Sequence, residues 1–436
     1  MTAAVAAGLT TELAAQEVPA LVDKQLPGLL ATYRGVHTAP ELSHHEAQTS
    51  ALLADELRKA GYTVTEHVGK YPDGSQAYGV VGILKNGAGP TLLVRADIDA
   101  LPVTEDTKLP YASKVRAKNP AGQEVGVMHA CGHDIHITTM IGVARNMAEL
   151  KSQWHGTLML IGQPSEETID GAKAMLADHL YERFGRPDMA IALHDANFAA
   201  GKVSVVSGPA LASSTSIDVV MRGVGSHGAA PEAGKDPIVM AAEFVVELQT
   251  VVSRSTPPSQ PAVVTVGDIH GGTKRNIISD EVKMELTTRC YSDEVRQTII
   301  EGVKRTAKGV AIAAGVPENR MPIVTVLDDE STPATINDPA LAARLQKIFV
   351  AKLGAENVIE KQPIMGSEDF GIFSLDHQIP AVIFWLGAYD PAKVAESQRT
   401  GVALPSPHSP FFAPLPEPTL RTGVTAMTDA ALALLQ

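Results

Sequence analysis

The densest chemistry in this chain lies in thirteen residues, Met128-His-Ala-Cys-Gly-His-Asp-Ile-His-Ile-Thr-Thr-Met140. A thiol, three imidazoles and a carboxylate fall between His129 and His136, in a protein with only 2 cysteines and 14 histidines. Thiolate and imidazole are the ligands that zinc-type transition metals prefer. The stretch runs into an apolar, helix-like segment, 137–150. A turn feeding a helix N-terminus offers free amides and a positive dipole end, which help keep a thiol ionised. A Cys/His-rich turn without metal is the plain alternative, and the neighbouring segments weigh against it. Three short apolar strands each end in a polar burst. Thr91–Val94 leads to Arg95-Ala-Asp97-Ile-Asp99, Thr157–Ile161 to Gly162-Gln-Pro-Ser-Glu166-Glu167, and Met189–Leu193 to His194-Asp195. Adjacent carboxylates repel unless a cation or proton sits between them. Near the C-terminus His408 is fenced by Pro405, Pro407 and Pro410, so it cannot lie inside a helix.

These residues need a scaffold that gathers strand ends, and α/β folds collect their chemistry at the carboxyl edge of such strands. At 436 residues the chain exceeds one ordinary core and suggests two domains. Residues 11–33 have roughly helical apolar spacing, with Pro19 and Pro27 expected to break or kink the segment. Ser43 to Glu46 reads as a capping box opening a helix over 44–60. From residue 213 the pattern changes to strand 215–222, helix 237–253, strands 261–266 and 281–290, helix 293–314 and strand 321–327. That order, β-α-β-β-α-β, is the ferredoxin-like arrangement. The expected fold is α/β: a catalytic domain, 1–212 and 331–436, with a mixed, mostly parallel sheet flanked by helices. Into it is inserted a ferredoxin-like α+β domain, 213–330.

Composition removes several function classes. The net charge of -13 gives no basic face for nucleic acid, and no apolar run is long enough to span a bilayer. Cys131 and Cys290 are too few for a disulfide framework, and the alanine-rich N-terminus lacks the basic start of a secretory signal. A cytoplasmic protein is expected, or a periplasmic one if an upstream signal was removed. Residues 224–228, Val-Gly-Ser-His-Gly, miss the first glycine of a serine-hydrolase elbow. Gly228 to Gly234 has one residue too many for a P-loop, and Asp236 stands where its Ser/Thr belongs. The His-x-Glu and Pro-Cys-x-x-Cys pair of zinc base deaminases is missing.

The ordered set RADIDALP, HACGHD, PSEE, ALH, GSHGAAP, GSEDF and PHSP resembles the M20 metallopeptidase/amidohydrolase family. It looks most like the branch of aminoacylases, hippurate hydrolases and auxin-conjugate hydrolases, over residues about 30 to 430. The resemblance implies a di-zinc peptidase-like fold and two divalent ions (Zn, Mn, Co or Ni). Cys131 would bridge them, with His133, Glu167, His194 and His408 as terminal ligands and Glu166 as general base. Asp97 and Asp99 both fall where the family keeps a supporting aspartate, and the sequence does not say which one serves. Other branches carry His-x-Asp at this first position; here Arg95-Ala-Asp97-Ile-Asp99 replaces it, and His133 is the histidine that fits. The resemblance further implies that the insert is a lid or dimerisation domain of a homodimer or higher homo-oligomer. Its His227 would donate to the oxyanion, in relatives often from the partner subunit, and Asn276 would contact substrate. Arg289 could pair with a substrate carboxylate or simply lie at the surface. Cys290 and His136 read as structural.

The chemistry stands on its own terms. Two metals roughly 3.5–4 Å apart can hold a hydroxide and polarise an amide carbonyl. A glutamate next to a ligand, but not itself one, can carry the proton from water to the leaving nitrogen. The expected substrates are N-acyl or N-aroyl amino acids, with a dipeptidase or carboxypeptidase activity as the alternative. A non-catalytic metal-binding scaffold is the rival from another class, and Glu166, which a scaffold would not need, weighs against it.

Overall fold

The computed structural model describes residues 2–119 and 121–436, with side chains described from residue 17 onward. The chain forms two compact units. The first comprises Met1–Gly208, Asn337–Gln362 and Phe370–Gln436, the second Pro209–Ile336 and Pro363–Asp369. Among the described residues no helix is long and apolar enough to cross a membrane.

The first unit is built on a seven-stranded mixed sheet. Its strands are β1 (Thr63–Lys70), β2 (Gln76–Asn86), β3 (Thr91–Asp97), β4 (Gly156–Gln163), β5 (Met189–Ala199), β6 (Val203–Val205) and a last strand, Ala381–Tyr389. Their order is β1-β2-β4-β3-β5, then Ala381–Tyr389, then β6. The four strands β4, β3, β5 and Ala381–Tyr389 run parallel, while β1, β2 and β6 pair antiparallel at the flanks. Strands shielded on both faces carry near-continuous apolar runs; all nine residues of Ala381–Tyr389 are buried. β5 extends beyond the expected end at Leu193, because its pairing with the last strand continues from Trp385 opposite His194 to Tyr389 opposite Ala199. His194 therefore sits within a strand rather than after it.

Helix α1 (Thr2–Thr38) is continuous, contrary to the expected break at Pro19 and Pro27. Both prolines lie on its exposed side. The opposite side buries Val18, Val22, Leu26, Leu29, Tyr33 and Val36 at three- and four-residue spacing. Each proline removes one hydrogen bond, and packing of that apolar stripe holds the helix together. The expected capping box also fails: α2 (Ala47–Lys59) is capped instead by Glu41, whose carboxylate accepts from the amides of Gln48 and Thr49. Ser43 and Glu46 are occupied elsewhere. Helix α3 (His133–Glu149) packs against α1 and the last helix, Pro416–Leu434. A Cβ at Gly142 would meet Val424 at 2.7 Å and Leu29 at 3.2 Å, so a hydrogen is what lets these helices approach.

The second unit contains β7 (Ser214–Arg222), α4 (Pro237–Thr250), β8 (Ala262–Gly271), β9 (Glu281–Cys290), α5 (Asp293–Ala313) and β10 (Ile323–Thr332). Its sheet order is β8-β9-β7-β10, all antiparallel, as the ferredoxin-like element order requires. Alternate residues of β9 are buried under the two helices. The segment Pro363–Asp369, which carries Gly366-Ser-Glu-Asp369, belongs to this unit.

Candidate active site

Gly132 sets the geometry of the first unit's site. It caps α3 with φ +79°, so His133 begins the helix and Cys131 stands just before the cap. A Cβ at Gly132 would stand 2.2–2.4 Å from the Asp195 carboxylate, so space as well as conformation demands glycine here. Cys131 Sγ then lies 3.4 Å from His194 Nε2. His408, held in the left-handed region at φ +68°, donates its amide to Ala130 O and places Nε2 3.4 Å from Glu167 Oε2. His133 Nε2 is 3.7 Å from Glu166 Oε2 and 3.8 Å from Glu167 Oε1.

The nitrogen–carboxylate separations are too long for good hydrogen bonds. The Cys131–His194 and His408–Glu167 separations, 3.4 Å each, match the edges, about 3.3–3.8 Å, of a tetrahedron with metal–ligand bonds of about 2.0–2.3 Å. His133 Nε2 and Glu167 Oε1 are buried and have no hydrogen-bond partner among the described residues. Such atoms are costly unless something coordinates them. Several trios of metal-type donors come together among the described residues, and two of them, Cys131–His133–His194 and Cys131–Glu167–His408, share Cys131. The residues present therefore fit a pair of metal ions sharing one thiolate.

Neighbours aim the donors. His133 Nδ1 donates to Asp99 O at 2.9 Å, with Asp99 Oδ1 at 3.2 Å, which leaves Nε2 for a metal. The other Asp99 oxygen accepts from the Glu167 amide (3.0 Å) and Ser43 Oγ (2.7 Å). His194 Nδ1 donates to Asp195 O at 2.7 Å, again freeing Nε2. Asp97 instead joins Arg95 Nη1 and His136 Nδ1, each at 2.6 Å. Asp99 thus holds His133 through Nδ1, while Asp97, held by Arg95 and His136, brings Oδ2 to 3.6 Å from His133 Nε2. His136 also accepts the Asp195 amide at 3.0 Å. Both its ring nitrogens are taken, which suits a structural part.

Residues 93–431 match peptidase family M20/M25/M40. The chain belongs to this family. It is similar to the hippurate hydrolase of Campylobacter jejuni, 36% identical over 78% of this chain and 82% of that protein. It is also similar to the N-acetyldiaminopimelate deacetylase of Leuconostoc citreum, 36% identical over 84% and 90%. Among solved structures, the Bacillus subtilis YXEP protein, a dinuclear metal binding peptidase from the M20 family, superposes with a TM-score of 0.75. It is 27% identical, covering 95% of this chain and 99% of that one. The resemblance read from the separated motifs holds, and this M20 chain is a hydrolase of amide bonds.

Charge in the M20 site is strongly negative. Burial, then Glu167 and Glu166, push the Cys131 thiol well up. Burial raises the Glu167 carboxyl to about 8; His133 opposes, while Asp99 and Asp97 add to the rise. Asp97 stays well below the usual range, because Arg95, His133 and His136 outweigh its burial. Acids crowded into a dry pocket are stabilised by bound positive charge, and a coordinated thiol gives up its proton.

The remaining candidates lie in the second unit. His227 pairs with Ile277 in a two-residue ladder, and Asn276 O accepts the Gly228 amide at 2.9 Å, so His227 and Asn276 share one corner. Arg289 is half-buried, donates to Ser367 Oγ, and has no carboxylate within ion-pair distance among the described residues. Sequence reasoning missed Gly132, Glu46, Ser165 and Asp195. For Glu46 there was one signal: a glutamate placed to cap a helix that also needed a reason to be buried.

Proposed function

We propose that this M20 hydrolase cleaves the amide bond of N-acyl or N-aroyl amino acids, with Glu166 as general base beside a dinuclear metal centre. The observation carrying this reading is the paired donor trio around Cys131, with a second glutamate adjacent to the coordinating one. Hippurate is an N-aroyl amino acid, and the similarity to a hippurate hydrolase and an N-acetyl deacetylase supports that substrate class. Cys131 would bridge two divalent ions (Zn, Mn, Co or Ni), with His133, Glu167, His194 and His408 as terminal ligands. Bound there, the metal pair would acidify water and polarise the carbonyl oxygen. Glu166 takes the proton from the attacking water and returns it to the leaving nitrogen. His227 donates to the oxygen as it gains charge, a contribution worth roughly 3–4 kcal/mol for such a donor. Arg289, a cation without an acidic partner among the described residues, pairs with the amino acid's carboxylate, and Asn276 contacts the substrate beside His227.

The second unit is proposed as a lid and as the contact surface of a homodimer. Support comes from β8, an edge strand exposing Val263 and Ile269, and from Val246 (73% exposed) and Ile312 (58%) on α4 and α5. A cytoplasmic location goes with this reading, supported by two cysteines that are both free. The test is a panel of N-acyl amino acids and dipeptides, assayed after chelation and after adding each metal. Metal-restored cleavage of N-acyl amino acids above dipeptides is expected. Full turnover after complete metal removal, or dipeptides as the better substrates, refutes the reading.

A further inference from the structure

Ser165, the residue before Glu166, is fully buried and adopts φ +52°, a conformation that residues with a Cβ seldom take. All of its polar groups are engaged. Its amide donates to Glu46 Oε1 at 2.8 Å and its hydroxyl lies 3.0 Å from the same oxygen. The hydroxyl also accepts the His44 amide at 2.9 Å and meets Tyr71 Oη at 2.6 Å. Its carbonyl accepts the Gly171 amide at 3.1 Å. Glu46 is fully buried, and its Oε1 also accepts the His44 amide, at 3.0 Å. This turn redirects the chain just after β4. Beyond it the Glu167 amide reaches Asp99, and the Glu166 carbonyl accepts the Ile169 amide at 2.8 Å.

We infer that Glu46 is a positioning residue for the reaction: by clamping Ser165 in the left-handed region it sets the aim of Glu166 without touching any metal ligand. A strained residue persists only where its surroundings over-determine it, and strain of this kind collects at functional turns. Here the clamp comes from a carboxylate 119 residues earlier in the chain. The inference rests on Glu166 being the base, and the experiment separates the two.

Wild type, E46A, E46Q, E46A/S165G and E166Q are compared for kcat, KM and bound metal. E46A should lose at least about tenfold in kcat with KM and metal content within about twofold, since a displaced base affects the transition state alone. E46Q keeps the accepting oxygen and should stay near wild type. Burial, then Asp99, raises the Glu46 carboxyl to about 7, so a neutral side chain is well tolerated there. In E46A/S165G most of the lost kcat should return, because glycine holds a positive φ without a clamp. A merely structural role predicts the opposite: metal lost together with kcat, and no rescue by glycine. Either result overturns the inference, as does wild-type kcat in E46A. Should E46A not fold, S165A and S165G carry the question, because both lack the hydroxyl and only S165A keeps a Cβ. S165A must then be the slower; equal or reversed rates overturn the clamp. An active E166Q would instead sink the base assignment, whatever Glu46 does.

Discussion

Glu166 and Glu167 show how far one residue of sequence separation can divide two chemical roles. Glu167 offers its oxygens to His408 and His133 and hangs its amide on Asp99, whereas Glu166 Oε2 stands 3.7 Å from His133 Nε2. Glu166→Gln should cut kcat by roughly 10²–10⁴ while metal content barely changes. Glu167→Gln should instead lose metal and activity together, as should Cys131→Ala. Metal analysis beside turnover reads both, and a stripped Glu166→Gln with a loaded Glu167→Gln would reverse the assignment. Gly132→Ala adds a second test at this scale. Its φ of +79° strains any Cβ, and the Asp195 carboxylate would lie 2.2 Å away. Strain and overpacking each cost about 1–3 kcal/mol, so reduced thermal stability and weaker metal retention should appear together. Unchanged melting and metal content would show that the turn yields more easily than its geometry suggests. The donor types were legible in the sequence, since thiol, imidazole and paired carboxylates advertise their chemistry. The residues that aim them were less so: Asp99, which meets His133 across 34 positions, entered only through the family resemblance, and Glu46, which meets Ser165 across 119, was read only as a helix cap, because local patterns do not encode such distances.

At the scale of elements, apolar runs foretold the parallel strands, although β5 runs on past its expected end and carries His194 inside it, and the ferredoxin-like order of the second unit followed from periodicity. What misled was local grammar overruled by packing. Two prolines do not break α1 because its buried stripe faces away from them, and the Ser43–Glu46 capping signal was diverted by tertiary partners, Asp99 and Ser165. The last turn of α1 also brings His37 between two acids. Its Nδ1 lies 2.6 Å from Asp134 Oδ2 and its Nε2 3.1 Å from Glu105 Oε1, which ties α1 to the first turn of α3. Burial alone would lower its pKa; Asp134 and Glu105 together outweigh burial and raise it to about 10. A base whose folded-state pKa exceeds its unfolded value of about 6.5 stabilises fully below that value. The contribution then disappears as pH climbs toward 10. Unfolding free energy of the wild type should therefore fall between pH 6.5 and 10, by at most about 1.4 kcal/mol per unit from this group. In His37→Phe that component of the slope should vanish, with lower stability at pH 6. Denaturant titrations at several pH values decide it, and parallel slopes in the two proteins would count against the ion pair.

At the scale of the whole molecule, the candidate ligands and the base all belong to one compact unit, while His227, Asn276 and Arg289 belong to the other. A reaction that uses both sets needs the second unit to reach a metal centre, in its own chain or in a neighbour. His227→Ala should lower kcat strongly and leave metal content and melting unchanged, because an interaction made in the transition state is lost. Mixing then tells the two routes apart. Glu166→Gln protein supplies intact His227, and His227→Ala protein supplies an intact base and ligand set. If the histidine crosses between subunits, random exchange makes about half the dimers hybrid and gives each hybrid one complete site, so activity should recover to roughly a quarter of wild type. If each chain uses its own histidine, no hybrid has a complete site, and the mixture stays as slow as its parents even when labelled subunits demonstrably exchange. Recovery at the predicted level requires a dimer and a shared site at once. Normal turnover in His227→Ala alone would remove the histidine from the reaction and leave the second unit with binding as its only part.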